Sequence, residues 1–320
     1  MAKTLMDNLV VIDGYIRFCE AKIPDNGEDA DWISINEQAV MAGTFDGAGG
    51  SGAKRYQRMR LKTGAYVGAR VIAGATKTWF EKICSERLLH SDQAAPLLKT
   101  YFTHALEICK REGATQSSST GLKSKLAKEF PSTAAVAVCT AGRDKVRASF
   151  YWAGDSRGYI LDRNGLAQIT KDDLDDVDAM ENLSADGVMT NIVTSSKDFQ
   201  IHSKTIDLWM PCIVFTASDG CFGYLSTPME FEYVLLETLL NADSLEEWEN
   251  NLKERLGQFA EDDYTMDAIL LGFGSFQNLK KTIIDRANHL FRAYISKLSG
   301  ISTEEKRMLW ETYKENYYRY

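Results

Sequence analysis

The sequence predicts an α+β fold in which layers of strands and helices are stacked. Strand-like segments occur in groups, and each group is separated from the next by a pair of helix-like segments. The resulting order is strands, two helices, strands, two helices, strand. Runs of strands separated by runs of helices are typical of a layered sandwich, whereas a repeating β-α-β pattern would predict a parallel sheet.

The N-terminal third is predicted to hold two strands followed by two helices. Residues 9–20 and 38–45 alternate or run apolar with Val, Ile, Tyr and Phe, which is typical of strands. Residues 65–90 carry apolar side chains four positions apart, as on one face of a helix, and 92–112 continue as a second helix. A polar segment at 24–31 predicts the turn between the two strands.

Four strands at hairpin spacing follow, and the chain then becomes acidic. Asn164-Gly165, before the last of these strands, is a good hairpin signal. Residues 171–186 contain seven acidic side chains, and we expect this segment to begin with a helix capped by Thr170. The four predicted strands span 133–140, 146–153, 158–162 and 166–170.

The C-terminal part is predicted to complete the sandwich and to add a helical tail. The predicted strands here span 198–207, 211–217 and 265–273, and the predicted helices span 228–240 and 244–259. Apolar residues at three- and four-residue steps make the chain helical from Phe276 onward, with a second tail helix over 303–319. We therefore predict one domain over 1–275 and a helical extension over 276–320.

Composition narrows the class of protein. With 44% hydrophobic and 26% charged residues, the 320-residue chain is typical of soluble globular proteins. A net charge of -8 argues against a nucleic-acid partner. The six scattered cysteines predict buried, reduced thiols. Since no signal-peptide cleavage site and no long apolar run is found, we expect a cytoplasmic protein without a membrane span.

Acidic residues recur at the ends of predicted strands, each beside a glycine or another acid. Such positions project a carboxylate from a sheet edge, although a turn or a helix cap is the simpler explanation for any one of them. Oxygen ligands without paired His or Cys suit Mg²⁺ or Mn²⁺. Two such ions, about 3.5–4 Å apart, polarise a phosphoryl oxygen and activate a water molecule. The acidic positions are Glu28-Asp29, Asp46, Asp155, Asp219 and Glu261-Asp262-Asp263.

The glycine run in TFDGAGGSGAK, residues 44–54, has two possible explanations. Gly47 to Gly52 has the spacing of a phosphate-binding loop, but Ala53 follows where that loop needs Lys. We therefore assign the function of this stretch to Asp46, with glycines that allow a tight turn.

Five short motifs in a fixed order resemble the metal-dependent protein phosphatases of the 2C type. That family carries a Glu-Asp pair, a Phe-Asp-Gly-x-Gly-Gly turn, a Gly-Asp-Ser-Arg segment, a Ser/Thr-Asp-Gly turn and a late Asp-Asn or Asp-Asp. The resemblance spans roughly residues 9–273. The matching segments are GED at 27–29, FDGAGG at 45–50, GDSR at 154–157, SDG at 218–220 and DDYT at 262–265.

The resemblance implies a four-layer α-β-β-α sandwich, with two antiparallel sheets flanked by helices and a metal site at one end. It also implies that 1–275 is a catalytic domain using two Mg²⁺ or Mn²⁺ ions, with a third, weaker ion in several members. The implied roles are Asp46 bridging both ions, the Gly47 carbonyl and Glu28 on one ion, Asp219 and Asp262 on the other, Asp29 holding water, and Asp155 with Asp219 at the third ion.

Two positions depart from the family pattern. Ala48 stands where many members have a histidine proposed to protonate the leaving alkoxide, although bacterial-like members often lack it. Pro24 stands where many members have an arginine that holds the substrate phosphate. Lys22, Lys54 and Arg55 are candidate substitutes, or else ordinary surface charges.

The implied activity is hydrolysis of phosphoserine or phosphothreonine in proteins by water that bridges two metal ions. The alternative is a pseudophosphatase, a scaffold that binds phosphoproteins without turnover. The acidic run is either a flap that shapes substrate choice or a solvated helix face. The tail aromatics Trp310, Tyr313, Tyr317 and Tyr318 either dock a partner or a second subunit, or pack on the chain's own helices.

Overall fold

The computed structural model describes residues 12–113, 128–142, 144–175, 178–183 and 187–319, which form twelve strands and seven α-helices. The predicted strand residues 9–11 and parts of the acidic run lie outside the described residues. The strands are β1 (Gly14–Glu20), β2 (Ala30–Ile35), β3 (Val40–Phe45), β4 (Arg55–Tyr56), β5 (Lys62–Thr63), β6 (Ala134–Ala141), β7 (Lys145–Ala153), β8 (Arg157–Asp162), β9 (Gly165–Gln168), β10 (His202–Trp209), β11 (Cys212–Ala217) and β12 (Tyr264–Leu271). The helices are α1 (Gly49–Gly52), α2 (Gly64–Ser85), α3 (Ala94–Gly113), α4 (Pro228–Leu240), α5 (Leu245–Gly257), α6 (Phe276–Ala293) and α7 (Thr303–Tyr313).

Ten of the strands form two five-stranded antiparallel sheets. The first sheet has the order β1-β12-β11-β8-β9, and the second has the order β10-β7-β6-β3-β2. Strands β4 and β5 pair separately as a short hairpin. The predicted α+β fold of two antiparallel sheets flanked by helices is confirmed.

Three hydrophobic clusters fill the spaces between four layers. Ala42 and Ile269 belong to the cluster between the two sheets. Trp79 of α2 packs with β6 on the outer face of the second sheet, and Leu252 of α5 packs with α4, α6 and β12 on the outer face of the first sheet. Each sheet is therefore apolar on both faces, which explains the continuous apolar runs in β6 and β11.

Alternation along β12 places a carboxyl group between the sheets. Met266, Ala268 and Leu270 face the helices, whereas Ile269 faces the other sheet together with Asp267. Asp267 is fully buried, and both of its carboxyl oxygens lack a hydrogen-bond partner among the described residues. Burial raises its pKa well above the usual range, and the Asp31 carboxylate adds to this effect. Burial therefore favours the protonated form of Asp267 in the folded protein.

We expect Asp267→Asn to stabilise the protein near pH 7 by about 2 kcal/mol. The unfolded chain releases the Asp267 proton above about pH 4, whereas the folded state keeps it, so wild-type stability falls as the pH rises and the variant avoids this loss. Urea unfolding at pH 4, 5.5 and 7 measures the difference in unfolding free energy between the variant and wild type. This difference should vanish near pH 4. Asp285→Asn, at an exposed position of α6, is the matched control. A variant less stable than wild type at pH 7 would contradict the prediction.

Several predicted elements differ from the structure. The helix expected at the start of 171–186 is wrong: Leu174 bridges to Met189 instead, and Thr170 accepts a hydrogen bond from the Gly158 N–H rather than capping a helix. Residues 30 and 31, predicted as part of a turn, begin β2. The hairpin β4–β5 was not predicted, because each of its strands has only two residues, one of them charged, and so shows no apolar alternation.

The tail helices pack on the body of the protein. Trp310, Tyr313 and Tyr317 are buried in the cluster that contains α4 and α5. The Tyr317 carbonyl accepts a hydrogen bond from the Gln168 N–H (2.8 Å), so the tail continues the first sheet beyond β9. These aromatic side chains therefore contact the chain's own core. The domain boundary at residue 275 stays a prediction.

Two further findings concern the cysteines and the helices. Five of the six cysteines are buried free thiols, as predicted, but Cys19, on the edge strand β1, is exposed. No helix in the described part of the chain is long and apolar enough to span a membrane.

Candidate functional site

The predicted acidic residues lie at matching strand ends. In the second sheet Ala30 pairs with Phe45, so the residues before β2 and after β3 lie side by side. In the first sheet Ala217 pairs with both Met266 and Arg157, which joins the end of β11 to the starts of β12 and β8. Antiparallel pairing thus gathers the acidic turns at one end of each sheet.

Asp46 lies at the centre of this cluster. The carboxyl groups of Asp46 and Asp219 lie close enough to influence each other's pKa values. Burial raises the Asp46 pKa well above its usual range, and repulsion from Asp29, Asp219, Asp155 and Asp262 adds to it. Because neighbouring carboxylates cannot all be ionised in a poorly solvated site, the cluster requires protons or cations.

Asp155 adds a carboxyl group whose hydrogen-bonding capacity is only partly used. Its Oδ1 atom is buried and has no hydrogen-bond partner among the described residues. Asp155 and Asp219 line a cavity of about 360 Å³. Arg157, in the same cavity wall, forms a buried ion pair with Asp172 (2.7 Å), so its guanidinium is already engaged by another carboxylate. Burial and the Asp219 carboxylate raise the Asp155 pKa well above the usual range.

Asp29 is held in place by two hydroxyl groups from the first sheet. Its Oδ2 atom accepts hydrogen bonds from Ser218 Oγ (2.9 Å) and Thr265 Oγ1 (2.8 Å). The side chain is buried, and burial raises its pKa to about 7. Asp29 therefore connects the turn before β2 to the ends of β11 and β12.

The turn that carries Glu28 is fixed by residues to which the sequence prediction assigned no such role. Asp263 accepts hydrogen bonds from the N–H groups of Glu28 (2.6 Å) and Lys22 (2.8 Å). Thr63, the N-cap of α2, donates from Oγ1 to Glu28 Oε1. Arg70 donates to the backbone carbonyls of Glu28 and Gly27 (3.3 Å each). Only the position of Asp263 beside Asp262 offered a sequence signal.

Asp262 lies at the rim of the site. It is exposed, and its Oδ1 atom accepts a hydrogen bond from the Asp263 N–H (2.8 Å). Its charge nevertheless raises the pKa values of Asp46, Asp219 and Glu28. The predicted metal-ligating acids therefore form one electrostatic cluster with Asp262 on its solvent side; its members are Glu28, Asp29, Asp46, Asp155, Asp219 and Asp262.

The glycine run packs tightly around Glu28. A Cβ atom on Gly49 would lie 2.2 Å from Glu28 Oε2, and one on Gly47 would lie 2.8 Å from the Glu28 carbonyl oxygen. A Cβ atom on Gly50 would meet nothing within 4 Å. Close approach of the Glu28 side chain thus explains why residue 49 lacks a Cβ atom.

We expect Gly49→Ala to weaken Mn²⁺ binding about tenfold, because the new methyl group displaces the Glu28 carboxylate. Isothermal titration calorimetry of the metal measures this loss. Gly50→Ala is the matched control, with the same change one residue away and free space around it. Equal Mn²⁺ affinities of the two variants would show that the position of Glu28 does not matter.

The donor set fits a hydrated hard cation. Among the described residues, no group of three or more His, Cys, Asp or Glu side chains is arranged to hold an ion by itself. Mg²⁺ keeps several waters and needs only one or two carboxylates, so an open, all-oxygen arrangement suits it. The half-buried, mutually repelling carboxyl groups and the unpartnered Asp155 oxygen favour the same conclusion.

The three basic residues predicted to bind substrate have different surroundings. Lys22 donates from Nζ to the Ala260 carbonyl. The Lys54 ammonium lies 4.7 Å from the centroid of the Tyr56 ring. Arg55 lies close enough to Glu28 to oppose the rise of its pKa. Of the three, Arg55 therefore has the clearest electrostatic connection to the acidic cluster.

The fold is similar to that of solved bacterial serine/threonine phosphatases. Stp1 from Staphylococcus aureus is 16% identical over 83% of this chain and 97% of its own, with a TM-score of 0.59. PstP/Ppp from Mycobacterium tuberculosis is 16% identical over 82% and 100%, with a TM-score of 0.55. The catalytic domain of PstP in complex with two manganese ions is 14% identical over 81% and 98%, with a TM-score of 0.52.

At these identities the similarity establishes a shared fold. No protein-family profile matches the sequence, and no curated protein matches it significantly. The fold expected from the five motifs is thus confirmed by the neighbouring structures.

Proposed function

We propose that the protein is a metal-dependent serine/threonine protein phosphatase. One observation carries the proposal: Asp46, Asp155 and Asp219 come from separate strand ends and meet as half-buried carboxyl groups whose pKa values are raised by burial and by neighbouring acids. The phosphatase fold of the neighbours supports the same function, and one neighbour is described with two manganese ions.

The residues present would hold two Mg²⁺ or Mn²⁺ ions. Asp46 would bridge them, Glu28 and the Gly47 carbonyl would serve one ion, and Asp219 and Asp262 would serve the other. Asp155, with its unpartnered oxygen, would hold a third ion together with Asp219. When bound, the ions supply Lewis-acid polarisation of the phosphoryl group and activation of water.

The chain's own residues position these groups and the substrate. Asp263 and Thr63 fix Glu28, while Ser218 and Thr265 orient Asp29 toward the cluster. Arg55 is the best-placed cation to bind the substrate phosphate. Ala48 offers no proton to the leaving alkoxide, so solvent water must supply it, and we expect turnover about 10²–10⁴-fold below that of an enzyme with a positioned acid.

A phosphoprotein-binding scaffold without turnover is the second candidate. Ala48 and Pro24, at two positions where the family often carries functional side chains, favour it. Under either function the partner is a phosphorylated protein.

The five buried free thiols fit a reducing compartment, and we place the protein in the cytoplasm.

Hydrolysis assays separate the two functions. The substrates are p-nitrophenyl phosphate and a phosphothreonine peptide, each with Mn²⁺, with Mg²⁺ and with EDTA. We expect turnover with a divalent ion and none with EDTA. Activity that survives EDTA would exclude the metal-dependent mechanism, and metal binding without turnover would favour the scaffold.

A further inference from the structure

A basic hairpin, defined here as residues 54–62, lies beside the acidic cluster. Its nine residues include Lys54, Arg55, Arg58, Arg60 and Lys62. Between Asp46 and Glu81 the chain contains seven lysines and arginines and no acid, although its net charge is -8. Positive charge is therefore concentrated in this segment of a protein whose net charge is negative.

The hairpin is directly connected to the turn that carries Glu28. In its two-stranded pairing Arg55 lies opposite Thr63, whose hydroxyl donates to the Glu28 carboxylate. Lys62 donates from Nζ to the Asp25 carbonyl (2.9 Å) in the same turn. The positive charges thus begin at the edge of the candidate site and extend away from it.

The hairpin is held rigidly against the protein. The Tyr56 ring is buried and stacks on Phe130, with 4.7 Å between ring centroids. At the tip, Arg60 and Leu61 both adopt positive φ angles (54° and 60°), a conformation that costs free energy for residues other than glycine. Arg55 stabilises this tip by donating to the Leu61 carbonyl (2.9 Å). These contacts hold the backbone of the hairpin against the body of the protein.

Four of the hairpin's five basic side chains are not paired with carboxylates in the part of the chain that the structure describes. Within the described ranges, Lys54, Arg55, Arg60 and Lys62 form no ion pair with a carboxylate; three of them instead contact backbone carbonyls or an aromatic ring. Glu129, which acts electrostatically on Tyr56, pairs with Lys110. The surface consequently keeps a net positive charge that an anionic partner can use.

We propose that the basic hairpin is a docking surface for acidic residues that flank the phosphorylated serine or threonine of the substrate. This inference rests on the proposed phosphatase function and names its substrate class. An extended peptide advances about 3.3 Å per residue, so acidic or phosphorylated side chains about two to four positions from the scissile phosphate would reach the hairpin. Charge complementarity at such a rim raises the association rate and depends strongly on salt.

The test compares phosphothreonine peptides with acidic and with neutral flanks. We expect kcat/KM to favour the acidic peptide about tenfold at 20 mM salt and about twofold at 300 mM salt. Lys54→Gln/Arg60→Gln should reduce the low-salt preference to about twofold. Lys281→Gln/Lys297→Gln, which removes the same charge from exposed positions of the C-terminal region, should preserve it.

The outcomes distinguish this inference from the proposed function. If no substrate is hydrolysed, the phosphatase function fails, and fluorescence anisotropy of the same labelled peptides on Mn²⁺-loaded protein still tests the hairpin. The proposed docking surface is wrong if turnover or binding occurs without a preference for the acidic peptide. It is also wrong if the hairpin variant keeps that preference. A short single-stranded DNA that competes as well as the acidic peptide would overturn the assignment to peptides.

Discussion

Asp46→Asn is expected to abolish metal-dependent hydrolysis, with a loss of about 10³-fold in kcat/KM. Asp46 is the carboxylate on which the charges of Asp29, Asp155, Asp219 and Asp262 all act. Replacing one of its oxygens with an amide nitrogen removes the ligand that is proposed to bridge the two ions while keeping the side-chain shape. Hydrolysis of p-nitrophenyl phosphate with Mn²⁺ measures the loss.

A second readout of Asp46→Asn does not depend on turnover. Without metal the variant should be more stable than wild type by about 1 kcal/mol, because one of the mutually repelling carboxylates is gone. At an Mn²⁺ concentration of about 100 Kd, wild type should gain about 2.7 kcal/mol in unfolding free energy, whereas the variant should gain much less.

Asp144→Asn, at an exposed turn position, is the matched control for both readouts and should behave as wild type. Asp46→Asn protein that retains wild-type activity, or an equal Mn²⁺-induced stabilisation, would rule out Asp46 as the bridging ligand. A variant less stable than wild type without metal would show that the carboxylates do not repel one another as inferred.

Arg286→Met is expected to destabilise the protein by about 3–5 kcal/mol. Glu232 of α4 is fully buried and receives two hydrogen bonds from the Arg286 guanidinium of α6 (2.7 Å each) and one from the Tyr313 hydroxyl of α7 (2.6 Å). Removing the guanidinium leaves a buried carboxylate without its counter-charge. Urea denaturation measures the change.

The double variant Glu232→Leu/Arg286→Met should recover most of this loss, since an apolar pair of similar volume needs no counter-charge. Arg292→Met, at an exposed position of the same helix, is the matched control. A loss below about 1 kcal/mol for Arg286→Met would mean that α6 and α7 contribute little to the stability of the domain. A large loss would show that the tail helices and the sandwich unfold together.

The order of strands and helices could be predicted because the local apolar pattern is strong. Helix α4 was predicted with the bounds found, since its apolar positions and the Thr227-Pro228 start are local signals. The predicted helix in 171–186 failed because charge composition alone does not fix backbone conformation. Instead, tertiary pairing determines that segment, including the bridge between Leu174 and Met189.

The sequence by itself determined which acidic residues stand at strand ends and which glycines accompany Asp46. Only the tertiary structure decided that these carboxyl groups meet, because strands from two sheets and distant parts of the chain must pair before their ends become neighbours. It also revealed Asp263 and Thr63 as the residues that fix Glu28, and it placed the basic hairpin at the edge of the cluster. Contacts of this kind depend on side-chain geometry across the fold, which local spacing does not encode.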